Sequence, residues 1–305
     1  MYQKYFGLKE LPFSLSPNTQ YFFAYGHYAD ALNTLLVALR TGEGFVKVVG
    51  EVGTGKTLMC RKLMNTLDDR FQILYIPNPQ LSAYGLQVAV AEELGLKITR
   101  YVHRLQKTIY EKLIELSQQG KRVVLCIDEA QAMPEETMES LRLMTNLETE
   151  SFKLLHVVMF GQPELDELLN RRSVRQLKQR ITFSYRLRPI DRDGLEAYVM
   201  HRLVVAGYNG GMLFDSKALD GLHVASRGIP RLINILANKA LMLAYGQGAR
   251  SVNNAFVQSA IKDTEDAQLR PMRVGWWRRW VASAAVLGTL ATVSGYWVIN
   301  HGQFP

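Results

Sequence analysis

An α/β fold is predicted for this chain: a parallel sheet covered by helices, followed by a small all-helical domain and a single C-terminal transmembrane helix. Three observations carry the prediction. Over the first two-thirds of the 305 residues, apolar strand-like runs alternate with segments long enough for helices. That alternation requires crossover connections and hence parallel strands. From Asp191 onward the strand signal stops and four helix-length segments follow one another between Gly-rich turns. Finally, residues 280–299 run for twenty positions without a charge.

In chain order, residues 44–49 read as a short apolar strand, followed by a Gly-rich turn and a helix over 56–67. Strands over 71–76, 122–127, 153–160 and 183–186 alternate with helices over 83–94, 104–117 and 134–147. The second domain comprises helices over 193–206, 216–226, 230–245 and 253–261, and a polar, basic connector leads away from it. The resulting organisation is 1–190 for the α/β domain, 191–262 for the helical domain and 263–275 for the basic linker. Residues 276–299 form the membrane helix with its interfacial flank, and 300–305 a short tail.

The membrane expectation rests on length and flanks. Twenty helical residues span about 30 Å, the thickness of a bilayer's hydrocarbon core. Trp276, Trp277 and Trp280 lie at one end and Tyr296 and Trp297 at the other, while Arg270, Arg273, Arg278 and Arg279 flank only the N-terminal end. By the positive-inside rule this predicts a single-pass inner-membrane protein with residues 1–279 cytoplasmic and the tail periplasmic. A buried core helix is the plainer alternative.

Composition narrows the chemistry. The net charge of +8, from 36 Lys+Arg against 28 Asp+Glu, suits a phosphate-bearing partner: a nucleotide, an acidic membrane face or DNA. Scattered surface charge is the alternative. The two cysteines, Cys60 and Cys126, lack ligand-like spacing, which argues against a metal–thiolate site or a disulfide framework. Residues 1–7 lack an apolar signal core, so cleaved export is not expected.

Gly50-Glu-Val-Gly-Thr-Gly-Lys56-Thr57 matches G-x-x-x-x-G-K-[ST] and lies between a predicted strand and a predicted helix. In that setting backbone N–H groups turn inward on phosphates, and the helix N-terminus adds positive potential. Lys56 is expected to reach the β- and γ-phosphates of ATP and Thr57 to coordinate Mg²⁺. The binding set is Gly50, Glu51, Val52, Gly53, Thr54, Gly55, Lys56, Thr57 and Leu58.

A second pattern is Val123-Val-Leu-Cys-Ile127-Asp128-Glu129, an apolar strand delivering two carboxylates to the sheet's C-terminal edge. Asp128 is the candidate second Mg²⁺ ligand and Glu129 the candidate general base for an attacking water. A third is Gly228-Ile-Pro230-Arg231, where Pro230 suits a first helical turn. Arg231 is placed to swing onto the γ-phosphate from the neighbouring domain; a solvent-facing arginine on a capped helix is the alternative.

These motifs, in this order and with a helical second domain, resemble those of the AAA+ ATPase superfamily: Walker A, Walker B and sensor 2. Tyr5-Phe-Gly-Leu8, Pro12-Phe-Ser-Leu15, Tyr21-Phe22, Gly42-Glu-Gly-Phe45, Gly161-Gln-Pro-Glu-Leu165 and Gln179-Arg-Ile-Thr-Phe183 are similar to the general-secretion-pathway protein A family. Within it, the chain resembles the ATPases of MSHA-type (type IV) pilus biogenesis. The resemblance implies an ATP-hydrolysing homo-oligomer, in ring form, working with inner-membrane pilus or secretion components. Nucleic acid is not an expected partner. It also implies that Arg180 acts as an arginine finger on a neighbour's nucleotide, with Arg175 as alternative and a basic helix face as the plain reading of both. Gln162 falls at the sensor 1 position, where the superfamily usually carries Asn, Ser, Thr or Asp. The strap containing Pro12, Phe13 and Tyr21 corresponds to the segment that covers adenine in the superfamily; an aromatic strap packed on the core is the equal alternative.

Two other readings stay open on the sequence. One is a DNA-handling ATPase of the transposition-helper type, gripping phosphates through the basic stretch 171–188. The other is a nucleotide-switched scaffold with little turnover.

Overall fold

The computed structural model describes residues 2–146 and 153–268. A single helical turn, α1 (Tyr2–Tyr5), leads through a strap with one tight turn at Thr19–Tyr21 into α2 (His27–Thr41) and then β1 (Phe45–Val49). There follow α3 (Lys56–Thr66), β2 (Phe71–Ile76), α4 (Ala83–Glu93), α5 (Val102–Gln118), β3 (Arg122–Ile127) and α6 (Glu135–Met144). The α/β part is completed by β4 (Leu155–Gly161), α7 (Glu164–Leu169), α8 (Arg175–Lys178) and β5 (Phe183–Arg186). A helical lid consists of α9 (Arg192–Val205), α10 (Ser216–Ser226), α11 (Pro230–Gly246) and α12 (Asn254–Lys262).

All five strands pair in parallel, in the order β2-β3-β4-β1-β5. Because side chains alternate across a strand, each of β1 to β4 feeds two cores. Val46, Val48, Val124, Cys126, Val158 and Phe160 face α2, α3 and the lid. Phe45, Val49, Val123, Leu125, Val157 and Met159 face the layer of α4 to α8. Burial on both faces explains the near-continuous apolar runs of the central strands. Cys60 and Cys126 are free and buried in the first of these cores.

Helices α1, α2 and α7 extend the sequence reading. Leu32, Leu35, Leu36 and Leu39 give α2 a core stripe at helical spacing. The lid is hinged close to the sheet. Ile190 donates its N–H to the Gly228 carbonyl at 2.8 Å. Gly228 has φ +73°, and a Cβ there would lie 2.0 Å from the Ile190 carbonyl oxygen, so only glycine fits.

The expectation of a membrane anchor requires correction. Among the described residues no helix is long and apolar enough to cross a membrane. The longest, α5 and α11, have 17 residues each, short of the roughly 20 apolar residues a span needs, and each puts one face into the core. The segment that suggested an anchor, 280–299, lies outside the described residues, as do most of the linker and the tail. The single-pass inner-membrane localisation, the cytoplasmic and periplasmic assignment and the membrane-embedded partners fall with it.

Candidate nucleotide-binding and hydrolysis site

The loop after β1, the acidic pair after β3 and the polar end of β4 meet at the C-terminal edge of the sheet, because β4 lies between β1 and β3. Gly50 N–H donates to the Gly161 carbonyl at 3.1 Å, tying the loop to the end of β4. The loop turns through Gly53 and Gly55, both at positive φ, into the N-terminus of α3. There the N–H groups of Gly55, Lys56, Thr57 and Leu58 have no backbone acceptor among the described residues, the arrangement that a helix start offers to an anion.

Lys56 is 5% exposed and folds back onto its own loop, donating to the carbonyls of Gly50 at 2.9 Å and Glu51 at 3.1 Å. Burial lowers its pKa from the usual lysine value, an effect that Glu129 and Asp128 oppose. Thr57 Oγ1 donates to Asp128 Oδ2 at 2.6 Å, so hydroxyl and carboxylate face one another. Asp128 is 3% exposed. Burial raises its pKa above the usual aspartate value, while the bonds from Thr57 and from the Glu129 N–H at 3.0 Å hold it down.

Glu129 sits at φ 50°, ψ 38°, a left-handed conformation uncommon for a residue with a side chain. The kink aims its carboxylate back toward the loop. Gln131 Nε2 and Gln162 Nε2 both donate to Glu129 Oε2, at 2.6 and 3.0 Å. Gln131 Oε1 in turn accepts from the Gln162 N–H at 3.0 Å. One carboxylate oxygen is thus held by two amides, and the other has no hydrogen-bond partner among the described residues. Gln162 touches the candidate base; Gln131, two positions beyond it in the same Asp-Glu-Ala-Gln run, was missed by sequence reasoning.

Lid and strap close the cleft. Arg231 N–H donates to the Gly53 carbonyl at 3.2 Å. A Cβ on Gly53 would lie 2.7 Å from Arg231 Cβ, so the start of α11 rests on the phosphate loop because that residue is glycine. Val52, Gly53, Gly55, Lys56, Thr57, Leu58, Glu129, Gln162 and Arg231 line one cleft of about 400 Å³, whose remaining wall is Ser14 to Pro17 from the strap and Tyr198, Arg202, Pro230 and Asn234 from the lid. Phe13 and Tyr21 belong to the core, the second of the two readings of the strap, Phe13 lying edge-on to Phe214 with centroids 6.1 Å apart, while Tyr21 also lines a small hollow with Gly55 and Leu58.

Arg180 lies elsewhere. It borders a hollow with Gly44, Phe45 and Leu155, at the N-terminal ends of β1 and β4, and donates to Thr145 Oγ1 at 3.3 Å. This is the edge of the sheet opposite the phosphate loop. Arg175 is exposed at the start of α8.

Comparison with known proteins agrees with this geometry. The AAA-domain family model (AAA_22) matches residues 39–169. General secretion pathway protein A of Aeromonas hydrophila is 39% identical over 299 residues, 97% of this chain. The chain spans about half, 54%, of that relative's length. Cdc6p of Pyrobaculum aerophilum superposes with a TM-score of 0.63 at 19% identity, covering 83% of this chain and 70% of that one. The Holliday junction branch migration motor RuvB of Thermotoga maritima gives 0.54 at 18% identity, with 79% and 70% covered. The two structural likenesses speak for the fold. The family model marks residues 39–169 as an AAA domain, of the ATP-hydrolysing kind, and over 97% of its own length the chain is similar to the general secretion pathway protein A of Aeromonas hydrophila.

Proposed function

We propose that this chain hydrolyses Mg-ATP in the cleft between sheet and lid and uses the reaction to move the lid within a homo-oligomer. The observation carrying the reading is the convergence of Lys56, Thr57, Glu129, Gln162 and Arg231 on one cleft from four separate segments, with Asp128 buried against Thr57. The residues present suit the triphosphate: four N–H groups without a backbone acceptor among the described residues and a buried ammonium meet at one helix start. Thr57 and Asp128, a hydroxyl and a carboxylate already facing one another, form an oxygen donor set of the kind Mg²⁺ takes. When bound, Mg²⁺ supplies charge neutralisation at the phosphates.

Lys56 leaves the loop carbonyls for phosphate oxygens, a stronger, charge-assisted partner. Glu129, with Oε2 held by Gln131 and Gln162, accepts a proton from the attacking water at its other oxygen. Arg231, at the base of the lid, adds positive charge at the γ-phosphate, so lid position depends on which nucleotide is held. Arg180 is on the wrong edge of the sheet to serve its own cleft. Its action as a finger therefore requires a second copy, which supports an oligomeric, ring-like arrangement.

The finer assignment is service to an MSHA-type (type IV) pilus or secretion machine. The name of the Aeromonas relative and the motifs shared with its family support it. The DNA-gripping alternative loses ground, since Arg171 and Arg186 within the basic stretch are paired with Glu135 and Asp166 at 2.6 and 2.8 Å. The test is steady-state hydrolysis by the full chain across protein concentration. Specific activity rising steeply with concentration in wild type, and staying low in Arg180→Ala, is the expected result. A flat profile with unchanged Arg180→Ala turnover rules out catalysis shared between copies.

A further inference from the structure

The peptide that joins Gly161 to Gln162 is bonded on both sides. Its carbonyl accepts from the Gly50 N–H of the phosphate loop at 3.1 Å. Its N–H donates to Gln131 Oε1 at 3.0 Å. The other end of that amide, Gln131 Nε2, donates to Glu129 Oε2 at 2.6 Å. Phosphate loop, end of β4 and carboxylate thus form one hydrogen-bonded chain, with Gln131 as the link that meets Glu129. Gln131 lies in a tight turn over Ala130–Ala132, directly after the left-handed Glu129. A Cβ on Gly161 would lie 3.2 Å from Gln131 Oε1, so glycine there leaves room for the amide to approach the peptide.

Chemistry fixes which way the amide faces. A backbone N–H only donates and an ionised carboxylate only accepts. Gln131 must therefore turn Oε1 to the peptide and Nε2 to Glu129. The flipped amide sets donor against donor at one end and acceptor against acceptor at the other. The second amide on Glu129 is placed differently. Gln162 is among the residues lining the cleft and Gln131 is not. A phosphate in the cleft can draw Gln162 Nε2 away from Glu129, whereas Gln131 keeps both of its partners.

We infer that Gln131 is a positioning residue for hydrolysis: it braces Glu129 against the 161–162 peptide, the same peptide that holds the phosphate loop. Gln131 acts on the reaction only through the carboxylate it orients. The inference rests on Glu129 being the base, and the test separates the two.

Single-turnover hydrolysis and steady-state kcat and KM for Mg-ATP are measured on the full chain, with melting curves to show that each variant is folded. The proteins are wild type, Gln131→Met, Gln131→Glu, Glu129→Gln and the double variant Glu129→Gln/Gln131→Met. Gln131→Met keeps the length of the side chain and loses both bonds. Gln131→Glu keeps an acceptor for the peptide and loses the donor to Glu129. Both are expected to lower kcat about tenfold or more while KM stays within about twofold, because Gln131 does not line the cleft. In the Glu129→Gln background, Gln131→Met is expected to cause no further loss, since the group it orients is gone. A merely structural role lowers the rate equally in both backgrounds, and that result overturns the inference. So does wild-type kcat in Gln131→Met and Gln131→Glu. Wild-type turnover in Glu129→Gln overturns the base itself, and the inference with it.

Discussion

At the residue scale, the chemistry depends on how a few buried charges are compensated. Lys56 spends its hydrogen bonds on carbonyls of its own loop. Lys56→Ala is therefore expected to fold normally and to lose nucleotide affinity by two orders of magnitude or more, as read by calorimetry. Asp128 carries a burial penalty that raises its pKa. The sign follows: its protonated form is favoured in the fold, so the group's contribution is best at low pH and is lost as pH rises above the ordinary aspartate value. Asp128→Asn removes the penalty. In the absence of nucleotide it is expected to melt at or above the wild-type temperature at neutral pH while losing Mg-ATP turnover. A melting point lower by more than about 5 °C, roughly 1–2 kcal/mol for a domain of this size, contradicts that balance. Most of these residues were legible in the sequence, since a glycine-rich turn before Lys-Thr and an apolar run ending in Asp-Glu have few other uses. Gln131, Tyr198, Arg202 and Asn234 were not, because their positions opposite the loop come from packing between segments far apart in the chain.

At the element scale, the central strands were readable because burial on both faces leaves little room for polar residues, and β2, β3 and β5 have the bounds the sequence suggested, although β5 is a largely exposed edge strand. The lid helices were readable from their spacing and caps: Asp191, Asp215 and Asn253 each accept from N–H groups one turn on. Helix α2 was passed over although its leucines repeat at helical spacing, and of the two readings of the strap the core packing of Phe13 and Tyr21 is the one seen, while Ser14 to Pro17 face the cleft. The aromatic residues left a base platform and a core strap equally open; the core holds them, as their large apolar area favours. The hinge yields its own test. Gly228→Ala puts a methyl against the Ile190 backbone, so the start of α11 must shift. Reduced turnover at saturating ATP, with the far-UV spectrum retained, is the expected outcome.

At the scale of the whole molecule, the sheet edges divide the work. The C-terminal edge of the sheet holds the candidate site and the N-terminal edge holds Arg180, a polarity that fits the proposed action of Arg180 on a second copy's nucleotide. The membrane expectation failed at this scale, since it was drawn from a segment outside the described residues, while the described helices are too short and too amphipathic to span a bilayer. What the molecule does as a whole turns on whether Glu129, held by two amides beside the phosphate loop, performs the proton transfer. The most direct measurement is Mg-ATP binding and single-turnover hydrolysis by wild type and Glu129→Gln side by side. Equal binding with turnover lowered by at least about 10²-fold is expected; equal turnover in the two proteins, or no binding by either when folded, contradicts it.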